Sequence, residues 1–399
     1  MANESGDVVL VTGGSGFIGQ HIIRLLFENK SELNIREIRS VDLKTYKNTI
    51  DDEQRYLRTF VGDLCEPESV VDAFKGADSV FHCAGMMSLQ FPPNYGKLNR
   101  NNIEGTQSVV DLCVKHNVKH LVYTSCGSVC FVPFKGTHTA VIINQTETKA
   151  PTPVYKDQDH MEFDRQFILR GYSSSKLRAE QIVLAAHGRA LSNGNGTLVT
   201  TAIRPPLTYG EGDNFFVTDM LKYLSSHSFV YPRIAGVGGK QQLCYAGNVA
   251  WGHICAYKSL KSAPRAIGGL PVFITDETSI ADTSRFLQKI GASSEKFKVR
   301  QSSWYIPRAI FQFFAMLLEL LIIVLEPVKK ITMKYSLRAL CAYASSMIFF
   351  NRLRAAIHID YVPLIEEQTA IKKSVQWYIK WYEQNIPQRN GGGAKRKNH

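Results

Sequence analysis

The residue pair best suited to chemistry in this sequence is Tyr172 and Lys176, in the run Tyr-Ser-Ser-Ser-Lys. An apolar stretch with helical spacing follows, and residues four apart lie one above the other on a helix. A phenol with a pKa near ~10 transfers protons poorly at neutral pH, and a neighbouring ammonium lowers that pKa. The pair therefore predicts general acid/base chemistry if a cofactor lies nearby, and a solvated helix face otherwise.

A glycine-rich turn near the N-terminus predicts a dinucleotide-binding site. A buried strand is indicated at residues 8–11, and the run Thr-Gly-Gly-Ser-Gly-Phe-Ile-Gly at 12–19 leads into a helical pattern. Glycines let the backbone turn tightly and approach a pyrophosphate, while the helix N-terminus supplies N–H donors. Strand, turn and helix come in the order that this site requires. The residues predicted to contact the cofactor here are Gly13, Gly16, Phe17, Ile18 and Gly19.

Asp42 favours NAD over NADP as that cofactor. It follows a second predicted strand at residues 38–41 and lies ~20 residues beyond the glycines. A carboxylate at this point accepts hydrogen bonds from the adenosine ribose hydroxyls and repels a 2′-phosphate. Lys44 lies close by and weakens the preference.

Short apolar strands alternate with helical patterns as far as residue 205, which predicts an α/β fold with a doubly wound parallel sheet of the Rossmann type. We expect the cofactor-binding domain to span residues 6–205. In such sheets, ligands bind at the carboxyl ends of the strands. Asp63, at one of these ends, is expected to contact adenine, with a helix cap as the alternative. The other residues predicted to contact the cofactor at strand ends are Leu64, Cys83, Ala84 and Pro205.

Beyond Pro205, glycines and prolines around short elements predict a smaller substrate-binding lobe at residues 206–305. A helix within residues 355–385 is expected to complete this lobe, because one of its faces is apolar. That face carries Ile371, Val375, Tyr378 and Tyr382. The Gly-rich basic stretch 390–399 is predicted to be a disordered tail.

The net charge of +12 at pH 7 suggests an acidic or anionic partner. The sequence shows no recognisable nucleic-acid-binding module, and basic residues beside an apolar segment suit a membrane surface better than nucleic acid. The eight cysteines form neither a C-x-x-C pair nor a tandem with histidines, which argues against zinc and against a disulfide framework. We expect reduced core thiols, no metal site and, from the polar N-terminus, no signal peptide.

An apolar segment at residues 306–350 predicts contact with membrane lipid. Residues 309–325 are interrupted only by Gln312 and Glu319, and as a helix they span ~25 Å, short of the ~30 Å hydrocarbon core. A second apolar run follows at 339–350. We expect monotopic insertion or a re-entrant hairpin, because a full span would separate the C-terminal helix from the sheet against which it packs. A core helix of the second lobe is the alternative.

The last five residues, Lys-Arg-Lys-Asn-His at 395–399, resemble the cytosolic dilysine retrieval signal of endoplasmic-reticulum membrane proteins. With the apolar segment, they predict a location on the cytosolic face of the endoplasmic reticulum membrane, with a mitochondrial membrane as the alternative. The sequence leaves the oligomeric state open, and a homodimer is compatible with it.

Several further runs together carry a family signature. These runs are Gly105-Thr106 after Asn102, Tyr-Thr-Ser at 123–125, Ile-Arg-Pro at 203–205, Tyr-Gly-Glu-Gly at 209–212 and Gly-Asn-Val-Ala-Trp-Gly-His-Ile at 247–254. With the glycine turn and Tyr-Ser-Ser-Ser-Lys, the chain resembles the 3β-hydroxysteroid dehydrogenase/Δ5-4-isomerase branch of the extended short-chain dehydrogenase/reductases. The resemblance extends from Val8 to about Tyr382. It implies NAD as the cofactor and a steroid or sterol as the substrate.

The resemblance implies roles for three residues already singled out. Tyr172 is expected to transfer the proton at the steroid 3-oxygen. Lys176 is expected to lower the pKa of Tyr172 and to bind the nicotinamide ribose. Asn102 is expected to assist the local proton relay.

The sequence departs from this family at the end of the fifth strand, where the family places a serine that binds the carbonyl oxygen. Cys126 stands at that position, with Ser125 before it and Ser128 two residues after it. A thiol donates a weaker hydrogen bond than a hydroxyl, and loss of one oxyanion donor costs ~10²–10³ in rate. Either a neighbouring hydroxyl substitutes for the missing serine or turnover is slower.

The resemblance also implies a carboxylate that moves a proton while the steroid double bond shifts into conjugation. The run Thr-Asp-Glu-Thr at 275–278 corresponds to the acidic pair of the family, with Glu277 in place of an aspartate. Asp276 and Glu277 are therefore the candidate isomerase residues. A solvated turn is the alternative interpretation.

We expect a membrane-associated, NAD-dependent enzyme that oxidises a 3β-hydroxysterol to the 3-ketone, with or without isomerisation. A sterol 4α-carboxylate 3-dehydrogenase, whose ketone product loses carbon dioxide, is the alternative enzyme. A non-catalytic, NAD-binding membrane protein is the alternative of another class, and Cys126 in the serine position motivates it.

Overall fold

The computed structural model describes residues 6–156, 158–235 and 238–386. The tail predicted at 390–399, with its retrieval-like residues, lies outside this part of the chain. In chain order, the strands are β1 Asp7–Thr12, β2 Ile35–Asp42, β3 Arg58–Val61, β4 Ser79–His82, β5 His120–Thr124, β6 Val141–Gln145, β7 Val199–Arg204, β8 Leu207–Tyr209, β9 Val230–Ala235, β10 Lys240–Gln241, β11 Leu243–Tyr245, β12 Pro271–Phe273, β13 Arg300–Pro307 and β14 Met347–Phe350.

The helices alternate with these strands over the first half of the chain and dominate the second half. They are α1 Phe17–Glu28, α2 Val71–Phe74, α3 Tyr95–Leu98, α4 Gly105–Lys115, α5 His160–Asp164, α6 Tyr172–Ala185, α7 Val217–Ser226, α8 Ala246–Ser262, α9 Pro264–Ile267, α10 Thr283–Ala292, α11 Arg308–Leu325, α12 Leu337–Ala344, α13 Leu353–His358 and α14 Glu367–Asn385. A π-helical turn, Asn99–Glu104, precedes α4, and a 3₁₀ turn, Gly127–Cys130, follows β5.

A parallel seven-stranded sheet forms the centre of the fold, in the order β12-β7-β5-β4-β1-β2-β3. On β1, Val9 lies opposite Ile38 of β2 on one side and Ser79 of β4 on the other. The chain therefore runs outward in opposite directions from β1, which opens a crevice at the carboxyl ends of β1 and β4. The predicted doubly wound parallel sheet is confirmed.

Helices cover both faces of this sheet. On one face, Ile22 of α1 and Ile254 of α8 belong to the same buried apolar cluster. On the other face, Val110 of α4 packs with Val183 of α6. Burial on both faces explains why β1 is almost continuously apolar, as parallel strands are.

The sheet is completed by residues outside the range predicted for the cofactor domain. β12 pairs with β7, with Val272 opposite Ile203, and α8 also comes from beyond residue 205. The predicted boundary of 6–205 is therefore too early. The sequence predicts a strand at residues 272–274, close to the observed β12, but not its place in the central sheet. That pairing depends on a segment far away in the chain, which local periodicity does not reveal.

The smaller lobe packs around a cluster to which α7, α10 and α14 contribute. Its buried members include Leu221 of α7 and Phe286 of α10. The apolar face predicted for the last helix lies in this cluster, with Ile371 and Tyr378 buried and Tyr382 partly buried. The last helix thus packs onto the lobe, as its periodicity predicts.

The first apolar run forms α11, which lies mostly exposed. By length and composition α11 could cross a membrane, and only 17% of its 18 residues are buried within the protein. Phe314 and Val324 are each 63% exposed. A core helix would be mostly buried, so the core-helix alternative does not describe α11.

The second apolar run belongs to the body of the protein. It forms α12 and β14, and β14 lies between β10 and β6 in a three-stranded sheet. Ile348 is buried, and the ring of Phe350 stacks on Phe273 of the central sheet at 4.2 Å between centroids. The predicted apolar segment of 306–350 is therefore too wide, and the re-entrant hairpin is wrong, because the second arm buries its apolar side chains in protein.

Candidate active site

Tyr172 is the first residue of α6, the helix that its spacing predicts. Gly171 before it has φ +73°, a left-handed conformation that favours glycine. Asp164, the last residue of α5, accepts hydrogen bonds at 2.5 Å from the Gly171 N–H and from Ser174 Oγ. Its other oxygen accepts from Tyr95 Oη at 2.8 Å. Asp164 therefore fixes the turn that presents Tyr172, a role for which the sequence contains no local signal.

Lys176 lies one turn further along α6 and is buried. Its Nζ donates to the backbone oxygen of Thr124 at 2.8 Å and lies 4.3 Å from the centre of the Tyr123 ring. Burial lowers the pKa of Lys176 from 10.5 to about 8. The ammonium has three donors, and Thr124 is its one hydrogen-bond partner among the described residues, so two N–H groups remain for a ligand.

Tyr172 as a whole is half-buried, and its phenol lies below the surface beside Cys126. Its pKa is raised well above its ordinary value of 10.0, first by burial and then by the neighbouring Cys126 side chain. This direction is opposite to the lowering expected from Lys176. Burial disfavours the phenolate, because a charged oxygen loses its hydration there.

The three side chains at the end of β5 have different partners. Ser125 Oγ donates at 2.6 Å to Oε2 of Glu180, whose other oxygen pairs with Arg204 Nη2 at 2.5 Å. Cys126 Sγ instead lies 2.8 Å from Ser128 Oγ. Ser125 therefore belongs to a buried ion-pair network, while Cys126 lies beside Tyr172 and contacts Ser128.

Asn102 lies in the π-helical turn, a feature that often occurs at functional sites. Its Nδ2 donates to Ser175 Oγ at 2.9 Å and to the Met86 backbone oxygen at 3.1 Å. Its Oδ1 accepts from the Met86 N–H at 2.6 Å. The side chain therefore fastens the loop after β4 to α6, and the predicted part in a proton relay stays a prediction.

A buried histidine that the sequence did not single out supports the same region. His82 Nδ1 lies 2.7 Å from Thr12 Oγ1, and Nε2 lies 2.9 Å from Thr106 Oγ1. Thr106 Oγ1 donates to the Asn102 backbone oxygen at 2.6 Å, so His82 must donate to Thr106 and accept from Thr12. Burial lowers the pKa of His82 to about 3, so the ring is neutral and joins β1 and β4 to the start of α4.

The glycine turn has the shape of a pyrophosphate cradle. Gly13 has φ +67°, and a Cβ at this position would lie 2.6 Å from the Ala84 backbone nitrogen. A Cβ at Gly19 would lie 2.2 Å from the Gly13 oxygen. Ser15 Oγ is buried and has no hydrogen-bond partner among the described residues.

The first turn of α1 faces this cradle. Within the described chain, no side chain caps the helix N-terminus at Gly16, which leaves backbone N–H groups for a ligand. Phe17 and Ile18 are the first residues of the helix. The residues present therefore fit a dinucleotide pyrophosphate.

Asp42 lies beside the cradle at the carboxyl end of β2. Its Oδ2 accepts from the Ser15 N–H at 3.0 Å, and its Oδ1 accepts from the Leu43 N–H at 2.7 Å. Both bonds hold the carboxylate next to the turn that would bind the pyrophosphate. This position is compatible with the predicted contact to the adenosine ribose.

Asp63 has protein partners for both oxygens. Oδ1 accepts from the Cys65 N–H at 2.9 Å, and Oδ2 pairs with Arg100 Nη1 at 2.8 Å. Burial acts to raise the pKa of Asp63, but these hydrogen bonds and the charge of Arg100 outweigh it and lower the pKa. These contacts are similar to those of a helix-capping residue, which is the alternative interpretation of Asp63. The contact with adenine stays a prediction.

The other predicted cofactor residues lie along the same carboxyl edge. The Cys83 N–H donates to the Thr12 oxygen at 3.1 Å, and Ala84 touches Gly13. Leu64 follows β3 and packs at the rim of the core beneath α4. Pro205 follows β7, and its oxygen accepts from the Gly127 N–H at 2.7 Å.

The two candidate isomerase acids have other partners. Asp276 is 5% exposed, so it is not a solvated turn residue. The donors to its oxygens, at 2.8–2.9 Å, are the Tyr245 N–H, Asn248 Nδ2 and the Thr278 N–H. Glu277 is exposed and pairs with Arg352. These contacts indicate a structural role for Asp276, which ties the start of α8 to the segment after β12.

The pKa of Lys176 predicts how pH affects stability. Between pH 8 and 10.5 the folded protein binds fewer protons at Lys176 than the unfolded chain does, so its free energy of unfolding rises with pH. We expect Lys176→Met to remove this rise, on the order of 3 kcal/mol at about 1.4 kcal/mol per pKa unit. Urea unfolding across this pH range measures it, with Lys380→Met at an exposed lysine as the control. A stability difference between variant and parent that does not change with pH would contradict a buried ammonium.

Comparisons with known proteins agree with this geometry. A model of the 3-beta hydroxysteroid dehydrogenase/isomerase family matches residues 10–308. The 3 beta-hydroxysteroid dehydrogenase type 7 of Mus musculus is 27% identical over 370 residues, which cover 93% of this chain and 95% of the mouse protein.

Solved structures share the fold at lower identity. MoeE5 in complex with UDP-glucuronic acid and NAD superposes with a TM-score of 0.63 at 18% identity, covering 94% of this chain and all of MoeE5. The UDP-glucose 4-epimerase of Thermus thermophilus, in complex with NAD, gives 0.61 at 18% identity, covering 93% of this chain and 99% of the epimerase. Since the family match spans well over half of the sequence, the chain belongs to the 3-beta hydroxysteroid dehydrogenase/isomerase family.

Proposed function

We propose that this protein is an NAD-dependent dehydrogenase that oxidises the 3β-hydroxyl of a steroid or sterol to a ketone. The observation that carries the proposal is the loop after β4, which joins the cofactor cradle to the acid/base pair. Ala84 in this loop touches Gly13, and a Cβ on the next residue, Gly85, would lie 3.7 Å from Lys176 Nζ. A cofactor in the cradle would thus extend toward Tyr172 and Lys176.

The mechanism assigns the proton and the charge to protein side chains. The glycine turn and Asp42 would hold NAD, which would supply the acceptor for the hydride of the carbinol carbon. Tyr172 takes the hydroxyl proton, and Lys176 supplies positive charge that offsets the raised pKa of the phenol. The free N–H groups of Lys176 suit the hydroxyls of the nicotinamide ribose.

We propose the oxidation only, because the contacts of the two candidate isomerase acids do not support isomerisation. The oxygens of Asp276 already accept three hydrogen bonds from the protein, and Glu277 pairs with Arg352 at the surface. A carboxylate that shuttles a proton needs an oxygen available to the substrate. A 4α-carboxysterol remains the alternative substrate, and the protein would then be a sterol 4α-carboxylate 3-dehydrogenase.

Tyr172→Phe tests the acid/base assignment. We expect kcat to fall by ~10²–10⁴ with NAD binding unchanged, since the variant loses only the proton-transferring oxygen. The fall in kcat is measured as NADH formation by purified protein with NAD and either a 3β-hydroxysteroid or a 4α-carboxysterol. Tyr382→Phe in the smaller lobe is the control.

The same assay separates the candidate functions. NADH formation only with the 4α-carboxysterol, accompanied by carbon dioxide, would replace the proposed substrate class. NAD binding without turnover of either sterol, and no change on Tyr172→Phe, would establish the non-catalytic alternative.

Asp42→Ala tests the cofactor preference. Removing the carboxylate should raise the ratio of kcat/KM for NADP to that for NAD by at least ~10-fold, the equivalent of about 1.4 kcal/mol. Asp42→Asn should have a similar effect, because it removes the charge that repels the 2′-phosphate. Its amide oxygen can accept only one of the two hydrogen bonds from the Ser15 and Leu43 N–H groups. Steady-state kinetics with both cofactors give the ratio. A parent protein that already prefers NADP would show that Asp42 does not select the cofactor.

We also propose that α11 inserts into one leaflet of a membrane, with the catalytic domain on the cytosolic face of the endoplasmic reticulum. One side of α11 is anchored in the protein by buried Ala315 and Ile322, and Glu319 Oε1 accepts from Ser336 Oγ at 2.7 Å. Most of the remaining apolar side chains are exposed, and Trp304 before the helix is 62% exposed. Exposed tryptophan and neighbouring lysines are typical of a membrane interface.

Charged substitutions on α11 test this orientation. Phe314→Glu combined with Leu321→Glu should lower binding to phospholipid vesicles by at least ~10-fold without unfolding the protein, since both side chains are more than half exposed. Val362→Glu, at a 71% exposed site outside α11, is the matched control. Vesicle flotation measures the binding. Unchanged flotation together with a smaller oligomer would instead assign α11 to contact between two copies of the chain.

A further inference from the structure

Just after β5, the side chains of Ser125, Cys126 and Ser128 have donor hydrogens for a substrate oxygen, whereas Thr124 at the strand end already contacts Cys83 and His253. Ser125 is excluded, because its hydroxyl donates to Glu180 at 2.6 Å in a buried network. Cys126 lies beside Tyr172, but a thiol is a weak donor. Ser128 remains, with its Oγ 2.8 Å from the Cys126 sulfur.

The backbone holds Ser128 firmly in this position. The 3₁₀ turn Gly127–Cys130 begins with the Gly127 N–H donating to the Pro205 oxygen at 2.7 Å. It ends with the Phe131 N–H donating to the Ser128 oxygen at 3.0 Å. The side chain is almost buried, at 7% exposure. A preorganised hydroxyl in a dry site stabilises a developing charge more than a mobile one does.

We propose that Ser128 supplies the hydrogen bond that holds the reacting oxygen of the substrate, and that Cys126 orients its hydroxyl. A hydroxyl has one donor hydrogen and two acceptor lone pairs. When the Cys126 thiol donates to Ser128 Oγ, the hydroxyl hydrogen of Ser128 is free for the substrate. Both side chains then act on the reacting oxygen of the substrate: Ser128 donates a hydrogen bond to it, and the Tyr172 phenol accepts its proton. This inference rests on the proposed dehydrogenase function.

Ser128→Ala is the direct test, measured as NADH formation from a 3β-hydroxysteroid. We expect kcat to fall by ~10²-fold, as for loss of one oxyanion donor, with KM for NAD unchanged. Ser128→Thr keeps the hydroxyl and should retain most of kcat. Ser374→Ala, which removes a buried hydroxyl on α14 that donates to the Ala370 oxygen, is the matched control.

Repeating Ser128→Ala in the Cys126→Ser variant distinguishes a catalytic role of the Ser128 hydroxyl from a structural role. Cys126→Ser places a hydroxyl beside Tyr172, so Ser128→Ala should cost less than ~10-fold in kcat there. Equal losses in the two backgrounds, or a fall in thermal stability that Ser128→Thr does not restore, would show that Ser128 supports the fold only. Unchanged kcat for Ser128→Ala would overturn the assignment while leaving the proposed function intact. Absence of turnover by the unsubstituted protein would overturn the proposed function and this inference with it.

Discussion

The buried ion pair between Glu180 and Arg204 is the interaction on which the arrangement of the site depends. Both side chains are almost fully buried, and Arg204 contacts both carboxylate oxygens, at 2.5 and 2.8 Å. Each ion loses several kcal/mol of hydration, so the pair persists only with good geometry and further hydrogen bonds. Ser125 supplies one of those bonds. The network joins α6, β7 and the end of β5, and thereby holds the Tyr172 helix against the sheet.

This network also determines which groups are left for chemistry. Because Ser125 donates to the ion pair, the side chain beside the Tyr172 phenol is Cys126, which in turn contacts Ser128. Burial of the same region sets the protonation states: the pKa of His82 falls to about 3, so its ring is neutral, and that of Lys176 falls to about 8. Lys176 thus carries its ammonium in a low-dielectric site, where it donates to the Thr124 backbone oxygen.

Two apolar runs of similar composition have different environments in the structure. The run in α12 and β14 is buried, because β14 finds a partner strand in β6, with Ile348 opposite Ile142. The run in α11 has no such partner on most of its surface in the described chain, and its side chains face outward. Hydropathy along the sequence cannot separate these cases, since it does not record whether a distant segment covers the run.

The sequence alone determined the features that lie within single elements. The glycine turn, Asp42 at a strand end and the helical spacing of Tyr172 and Lys176 follow from local periodicity and from the steric needs of a tight turn. Tertiary structure decided which side chains meet: Asp164 beneath the Tyr172 helix, β12 beside β7, and Ser125 turned toward Glu180. The last two contacts join residues far apart in the chain, whereas Asp164 lies only seven residues before Gly171. They depend on side-chain direction, which residue spacing does not encode.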